Sequence, residues 1–271
     1  MIKLSSYHTH TEFCDGRSTM EESILAAIEA GCPEIGFSTH SPLVGQNDWT
    51  ILAARESEYL EKLENLKKTY EKQIKVYKGI EFDILSSVDT GKYDYVIGSV
   101  HNVVVDGTLY AVDHTTDIVR TVVNDCFGGD PYAYCESYFE SVAQLYKRTH
   151  CDVIGHFDLI TKFIEIDPLF DISHPRYRRA VERAFNTLAE TPAVFEVNTG
   201  AIHRGYRTTP YPDTYVLDML RTLDKPVVIT SDSHSADTVT FGLEKWGEQM
   251  AARGLRVITS MPELLAESRK S

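Results

Sequence analysis

Two short pairs combine the right residue types with the right spacing for metal chemistry: His8-x-His10 near the start of the chain and Asp232-x-His234 near its end. In extended backbone, residues i and i+2 lie on one face, so both members of a pair can address one ion. Imidazole and carboxylate together suit Zn, Fe or Mn. Donors of the same kind stand at His40, Glu81, His101 and His156. Asp15 lies in the loop Phe13-Cys14-Asp15-Gly16, where the chain can turn back towards His10. Glu81 has two oxygens and can bridge two ions. Such a cluster activates water and neutralises anionic groups, which points to metal-assisted hydrolysis.

These donors need elements that bring them together. Short apolar runs recur at Ile2–His10, Glu34–Thr39, Ile74–Glu81, Tyr93–Val100, Cys151–His156, Ala193–Asn198 and Pro226–Ser231, with Gly254–Thr259 as a last short candidate. Helical patterns lie between them. Met20–Gly31 has Ser18 or Thr19 as its cap and Gly31 as its stop; Arg55–Gln73, Tyr134–Thr149 and Pro175–Glu190 complete the clear set. Asp106–Asp130 reads as a long loop with its own helix, and Asp167–Pro175 as a second loop. Strands alternating with helices predict a parallel sheet. So many units in one chain of 271 residues favour a single-domain α/β barrel spanning 1–271.

The predicted strands explain where the donors fall. His8 and His10 close the first, His40 follows the second, Glu81 ends the third and His101 the fourth. His156 ends the fifth, and Asp232 and His234 follow the seventh. In an α/β barrel all strand C-termini open on one face. One histidine near a strand end is usually an ordinary polar residue, but six of the ten in such places form a pattern. His114, His150 and His174 read as surface or loop residues, and His203 stays open between the two readings.

Composition narrows the partners. The net charge of −13 argues against a nucleic-acid or anionic-membrane binder, which would carry a basic face. It does not argue against a phosphorylated substrate, because divalent cations reverse the local sign in a pocket. The five cysteines form no CxxC pair, which suits a reducing cytoplasm. The start, MIKLSSYHTHTEF, lacks the apolar stretch of a signal peptide. No window approaches the roughly 20 apolar residues of a membrane span. No P-loop, GxGxxG, GxSxG, HExxH or DxDx[TV] motif occurs.

The segments HTHTEFCDG at 8–16, STHSP at 38–42, GIEFD at 79–83, GSVH at 98–101, GHFDL at 155–159 and SDSH at 231–234 resemble, in order, the motifs of the PHP (polymerase and histidinol phosphatase) family. The resemblance implies a distorted (β/α)7 TIM-like barrel with a trinuclear metal site. It implies that His8, His10, Glu81 and Asp232 hold one ion, Glu81, His101 and His156 a second, and Asp15, His40 and His234 a third. NTGAIHRGYRTTPYP at 198–212 and the single-domain length resemble the stand-alone bacterial members that hydrolyse L-histidinol phosphate. Family members often carry Asp just before the first His pair and before the second-strand His; Ser6, Tyr7 and Thr39 stand there instead.

The expected reaction is attack on phosphorus by an activated water, with Glu81, Asp232 and His234 at the reacting centre and two to three Zn, Fe or Mn ions. Arg204, Lys162 and Arg207 are the candidate phosphate-binding cations, with Arg17 a weaker one. Glu12, Asp158 and Glu196 are candidates for the cationic end of a zwitterionic substrate. The expected setting is cytoplasmic, as a monomer or homo-oligomer, with a small phosphorylated substrate. The alternatives are a family member acting on another small phosphoester or nucleotide, and a metal-dependent amidohydrolase. The latter usually bridges its metals with a carbamylated Lys, where this chain has Glu81. A metal-storage protein is the non-enzymatic alternative.

Overall fold

A strand buried on both faces reads as a nearly unbroken apolar run, and Glu34–His40 is buried at every position. In the computed structural model, which describes residues 5–46 and 48–270, nine strands are assigned. They are β1 (Glu34–His40), β2 (Lys75–Asp83), β3 (Tyr95–Ser99), β4 (Asn102–Val105), β5 (Thr108–Ala111), β6 (Val153–Ile154), β7 (Val194–Asn198), β8 (Pro226–Thr230) and β9 (Arg256–Ile258). Seven of them form a parallel sheet in the order β1-β2-β3-β6-β7-β8-β9. Around it lie α1 (Met20–Glu29), α2 (Glu56–Tyr70), α3 (Thr116–Phe127), α4 (Pro131–Ala143), α5 (Leu145–Thr149), α6 (Pro175–Ala189), α7 (Gly200–His203), α8 (Thr214–Thr222), α9 (Leu243–Ala252) and α10 (Met261–Ser268). None of the described helices is long and apolar enough to cross a membrane.

The expected first strand, Ile2–His10, lies partly outside the described residues. Its described part joins the sheet through single bridges, Ser6 with Ile35 and Thr9 with Ser233. His10 N donates to Ser233 O at 2.8 Å, and Gly36 N donates to Ser6 O at 2.7 Å. This segment is the seam that draws β1 towards the end of β8, with Ser38 N donating to Thr9 O at 3.0 Å and Ser233 N to His8 O at 3.1 Å.

Side chains along each strand alternate between the barrel interior and the helices. Tyr95, Ile97, Val153, Val194 and Val228 fill the interior with Tyr7, while Val96, Phe195 and Val227 join the larger core beneath the helices. Met261 and Leu264 of α10 plug the N-terminal end. Tyr7 Oη donates to Glu34 at 2.6 Å and Met261 N donates to the same oxygen at 2.8 Å. Only the C-terminal end of the barrel remains for a site.

Local signals account for several boundaries. Of the two expected caps, Ser18 and Thr19, Thr19 caps α1, and it forms a reciprocal capping box with Glu22. The expected Tyr134–Thr149 helix starts earlier, where Asp130 caps and Pro131 occupies the first turn, and it breaks at Gln144 into α4 and α5. The expected irregular stretch 106–130 holds the β5 half of an antiparallel hairpin with β4. Asp106 and Gly107 turn it, both at positive φ (49° and 79°).

Gly79 and Gly36 make room for the ring of Tyr95, whose Oη donates to the Tyr7 carbonyl at 2.5 Å. A Cβ on Gly79 would lie 2.2 Å from Tyr95 Cζ. Gly79→Ala is therefore expected to destabilise the protein by about 1–3 kcal/mol through overpacking. Chemical denaturation checks this; an unchanged midpoint would mean that the ring moves aside freely.

Candidate metal centre

Glu81 projects from β2 into the barrel mouth, with the imidazoles of five histidines around it. Oε1 lies 2.8 Å from His156 Nε2 and 3.2 Å from His101 Nε2. Oε2 lies 2.7 Å from His40 Nδ1, 3.4 Å from His8 Nε2 and 3.5 Å from His10 Nε2. Asp232 Oδ1 is 3.3 Å from His10 Nε2, 3.7 Å from His8 Nε2 and 3.6 Å from His234 Nδ1. Asp15 stands within 3.3–3.9 Å of His234, His40 and His10. All nine expected donors thus meet at one end of the barrel.

The groupings differ in part from those implied by the family. His8, His10 and Asp232 form one set with mutually close donor atoms; His10, Asp15, His40 and His234 form another; His40, Glu81 and His101 form a third. His10 and His40 each belong to two sets. Asp232 reaches the cluster from left-handed backbone, φ 47°, so the 232–234 pair does not converge through an extended i, i+2 register. Gly16 lets the Asp15 loop close, because a Cβ there would lie 2.3 Å from Thr11 N.

His8 Nε2, His10 Nε2, His40 Nδ1 and Glu81 Oε2 are buried and take part in no hydrogen bond. Lone pairs converging in this way fit a divalent cation, because burying them unmatched is costly. Burial raises the Glu81 pKa, but His40, His8 and His101 hold it well below the usual carboxylate range. Asp232 behaves alike: burial opposes ionisation, and Arg204 and His8 outweigh it. Burial, with His234 and His40 nearby, pushes His10 down to about 3, leaving the neutral imidazole that binds metals. Burial also works against protonation of His8 and His101, yet Glu196 and Glu81 for the first and Glu81 and Asp83 for the second raise both well above the usual value. A cation in the cluster would take the place of such protons.

A second layer orients the rings. His8 Nδ1 lies 2.5 Å from Glu196 Oε1, and His101 Nδ1 lies 3.0 Å from Asp83 Oδ2. Glu196 also accepts from His156 N at 2.6 Å, Thr230 Oγ1 at 2.6 Å and Asn198 Nδ2 at 3.1 Å. Glu196 is therefore sealed into the scaffold and does not face a substrate, contrary to the sequence-based expectation. Glu12 and Asp158 are also committed elsewhere. Glu12 accepts from Met20 N and Lys62 Nζ, and Asp158 from Asp213 N. Alternation along β2 and β7 is the signal that could have placed Asp83 and Glu196 beside the site. Trp49, from the loop after β1, was not expected there; its ring stands edge-on to His40 and His101, with centroids 4.8 and 5.2 Å away. Thr39 Oγ1 is buried without a hydrogen bond, and Tyr7 points to Glu34 at the other end.

The expected cations separate. Arg204 reaches the cluster: Nη2 donates to Asp232 Oδ2 at 3.0 Å, and Nη1 lies 3.1 Å from His234 Nδ1. Lys162 Nζ donates to the carbonyl of Asp113 at 2.6 Å. Arg207 is buried, donating to Thr161 and Thr209 and packing over Tyr211, and bonds to none of the nine donors. Gly205, at φ 77°, turns the chain between the two arginines. Arg17 is exposed. His114 and His150 are exposed, His174 caps α6, and His203 packs on Phe241 outside the cluster.

A barrel whose mouth carries this cluster defines a class. The PHP domain model matches residues 6–200, and the chain belongs to the PHP family. Among its relatives is the histidinol-phosphatase of Bacillus subtilis, 26% identical over 268 residues, covering 89% of this chain and 97% of that protein. A candidate histidinol-phosphatase of Schizosaccharomyces pombe is 28% identical over 257 residues, covering 86% and 81%. The fold matches a candidate histidinol phosphatase from Listeria monocytogenes with a TM-score of 0.77 at 20% identity, over 89% of this chain and 99% of that one. It also matches the histidinol phosphate phosphatase of Lactococcus lactis, solved with Zn, L-histidinol and phosphate, with a TM-score of 0.67 at 19% identity, over 95% and 96%.

The second layer has a measurable consequence. Glu196→Gln places an amide where His8 and His156 meet a carboxylate, and it is expected to lower metal affinity by about 10–100-fold. Competition against a chromogenic chelator reads this directly; wild-type affinity would show that ring orientation does not depend on Glu196.

Proposed function

We propose that this chain is a metal-dependent phosphomonoesterase that hydrolyses L-histidinol phosphate to L-histidinol and phosphate. One observation carries the reading: buried, unmatched imidazole and carboxylate donors converge beside an arginine whose guanidinium is partly exposed. His8, His10, Glu81 and Asp232 would hold one ion, Glu81, His101 and His156 a second, and Asp15, His40 and His234 a third. Bound ions of this kind supply a water of lowered pKa and offset phosphoryl charge. Zn, Fe or Mn suits the donor set.

The chain's own residues do the rest. Glu81 and Asp232 stay ionised and so remain permanent anionic donors. Glu196 and Asp83 fix the rings of His8 and His101, leaving the opposite nitrogens aimed inward. Arg204 offers a planar fork to the phosphate and the charge that spreads over its oxygens in the transition state. Lys162, held by Asp113, would add a point charge. The new bond joins the oxygen of water to phosphorus, and the ester oxygen leaves with a proton as the alcohol. Cys14, Cys126, Cys135 and Cys151 form no disulfide among the described residues, which supports a cytoplasmic setting.

Protein purified without chelator is expected to carry about two to three Zn, Fe or Mn ions per chain. Glu81→Ala should lose the most metal and activity, because Glu81 would serve two ions. Full turnover in a sample verified metal-free by elemental analysis would remove the mechanism. Arg204→Ala should weaken substrate and inorganic phosphate binding by about 10-fold or more while metal content holds. Loss of metal on that substitution would make Arg204 a structural partner of Asp232 instead.

A further inference from the structure

We infer that Asp113 is the specificity-determining carboxylate, the group that receives the ammonium of the substrate. The inference rests on the histidinol phosphate reading above. That substrate carries its ammonium on the second carbon from the ester oxygen, so the charge lies close to the phosphate. A carboxylate that recognises it must stand beside a phosphate-binding cation at the mouth of the site.

Asp113 stands in such a place. The β4–β5 hairpin leaves β3 just after His101 and returns to it: Asn102 pairs with Ala111, and Val112 N donates to His101 O at 2.9 Å. Asp113 is the next residue, held one peptide from the backbone of a site histidine. Lys162 Nζ donates to its carbonyl oxygen at 2.6 Å and to Oδ2 at 3.2 Å. The shorter bond goes to the backbone, so the lysine stays anchored while the carboxylate is shared. Oδ1 accepts no hydrogen bond among the described residues, and the side chain is 29% exposed.

Its charge is secure. Burial favours the neutral acid, but Lys162, His101 and His156 lower the pKa and keep Asp113 ionised. The other carboxylates do not offer a group to a ligand: Asp83 and Glu196 hold ring nitrogens, Glu12 holds α1 and Lys62, and Asp158, held by Asp213 N through Oδ2, is completely buried. A substrate without an ammonium would cover Asp113 Oδ1 without giving it a partner, which is how a polar site rejects analogues lacking the matching group.

The test compares kcat/KM for L-histidinol phosphate and for 4-nitrophenyl phosphate in the metal-loaded wild type, Asp113→Asn and Asp113→Glu, with metal content measured in each. Asp113→Asn should lower kcat/KM for histidinol phosphate by about 10–100-fold, mainly through KM. It should move the aryl phosphate by less than about threefold, with Asp113→Glu recovering part of the preference. A wild-type preference that survives in Asp113→Asn, whether through parallel loss on both substrates or through no change, overturns this inference alone. A wild-type enzyme that does not prefer histidinol phosphate overturns the substrate reading and this inference with it.

Discussion

The structure is organised around one buried carboxylate. Glu81 is 1% exposed and lies within 3.5 Å of five imidazoles. Removing a carboxylate from water is expensive unless opposite charge and hydrogen bonds replace the lost hydration. Here Ser99 Oγ donates to Oε1 at 2.6 Å and the imidazoles surround both oxygens. The five histidines come from four separate segments, His8 and His10 sharing one, so the interaction exists only when the barrel is assembled. Closing the barrel mouth and forming the cluster are one event.

That constraint explains the second layer. An imidazole that must aim one nitrogen inward has to be held by the other, and the two rings best held this way use carboxylates that never touch solvent. Glu196 serves His8 through its side chain and His156 through its backbone N–H, which couples two segments of the mouth through one residue. Arg204 completes the picture from the C-terminal side. Its bond to Asp232 neutralises one carboxylate and leaves a partly exposed fork next to the cluster. Arg207, only three residues on, is spent on holding the turn around Thr161.

Much of this was legible in the chain. The βα alternation predicted the parallel sheet, and the nine donors were identifiable because they recur at strand ends, all of which open on one face of such a barrel. A cap at Ser18 or Thr19 is legible because capping acts over one turn, while the choice of Thr19 and its pairing with Glu22 come from the structure. Other features failed for local reasons. The Asp106-Gly107 turn is hard to read from sequence because Val103–Val105 is short and follows closely on β3. The break at Gln144 was hidden because both helices present continuous apolar faces. Asp232 seemed to belong to an extended pair, but its left-handed backbone puts the side chain in the cluster by another route.

The sequence by itself therefore determined the kinds of donor, the element that carries each, and the end of the barrel at which they meet, because alternation and strand order are local properties. Tertiary structure alone decided which donors stand close together, which carboxylates turn inward as supports, and which cation faces the site. These depend on distances between segments up to some two hundred residues apart, as in the contact of His8 with Asp232. They depend also on single backbone conformations, such as those at Asp232 and Gly205, that no periodicity encodes. Asp113 illustrates the division: its charge is plain in the sequence, but its place beside His101 and Lys162 comes from the hairpin that folds it back onto the mouth.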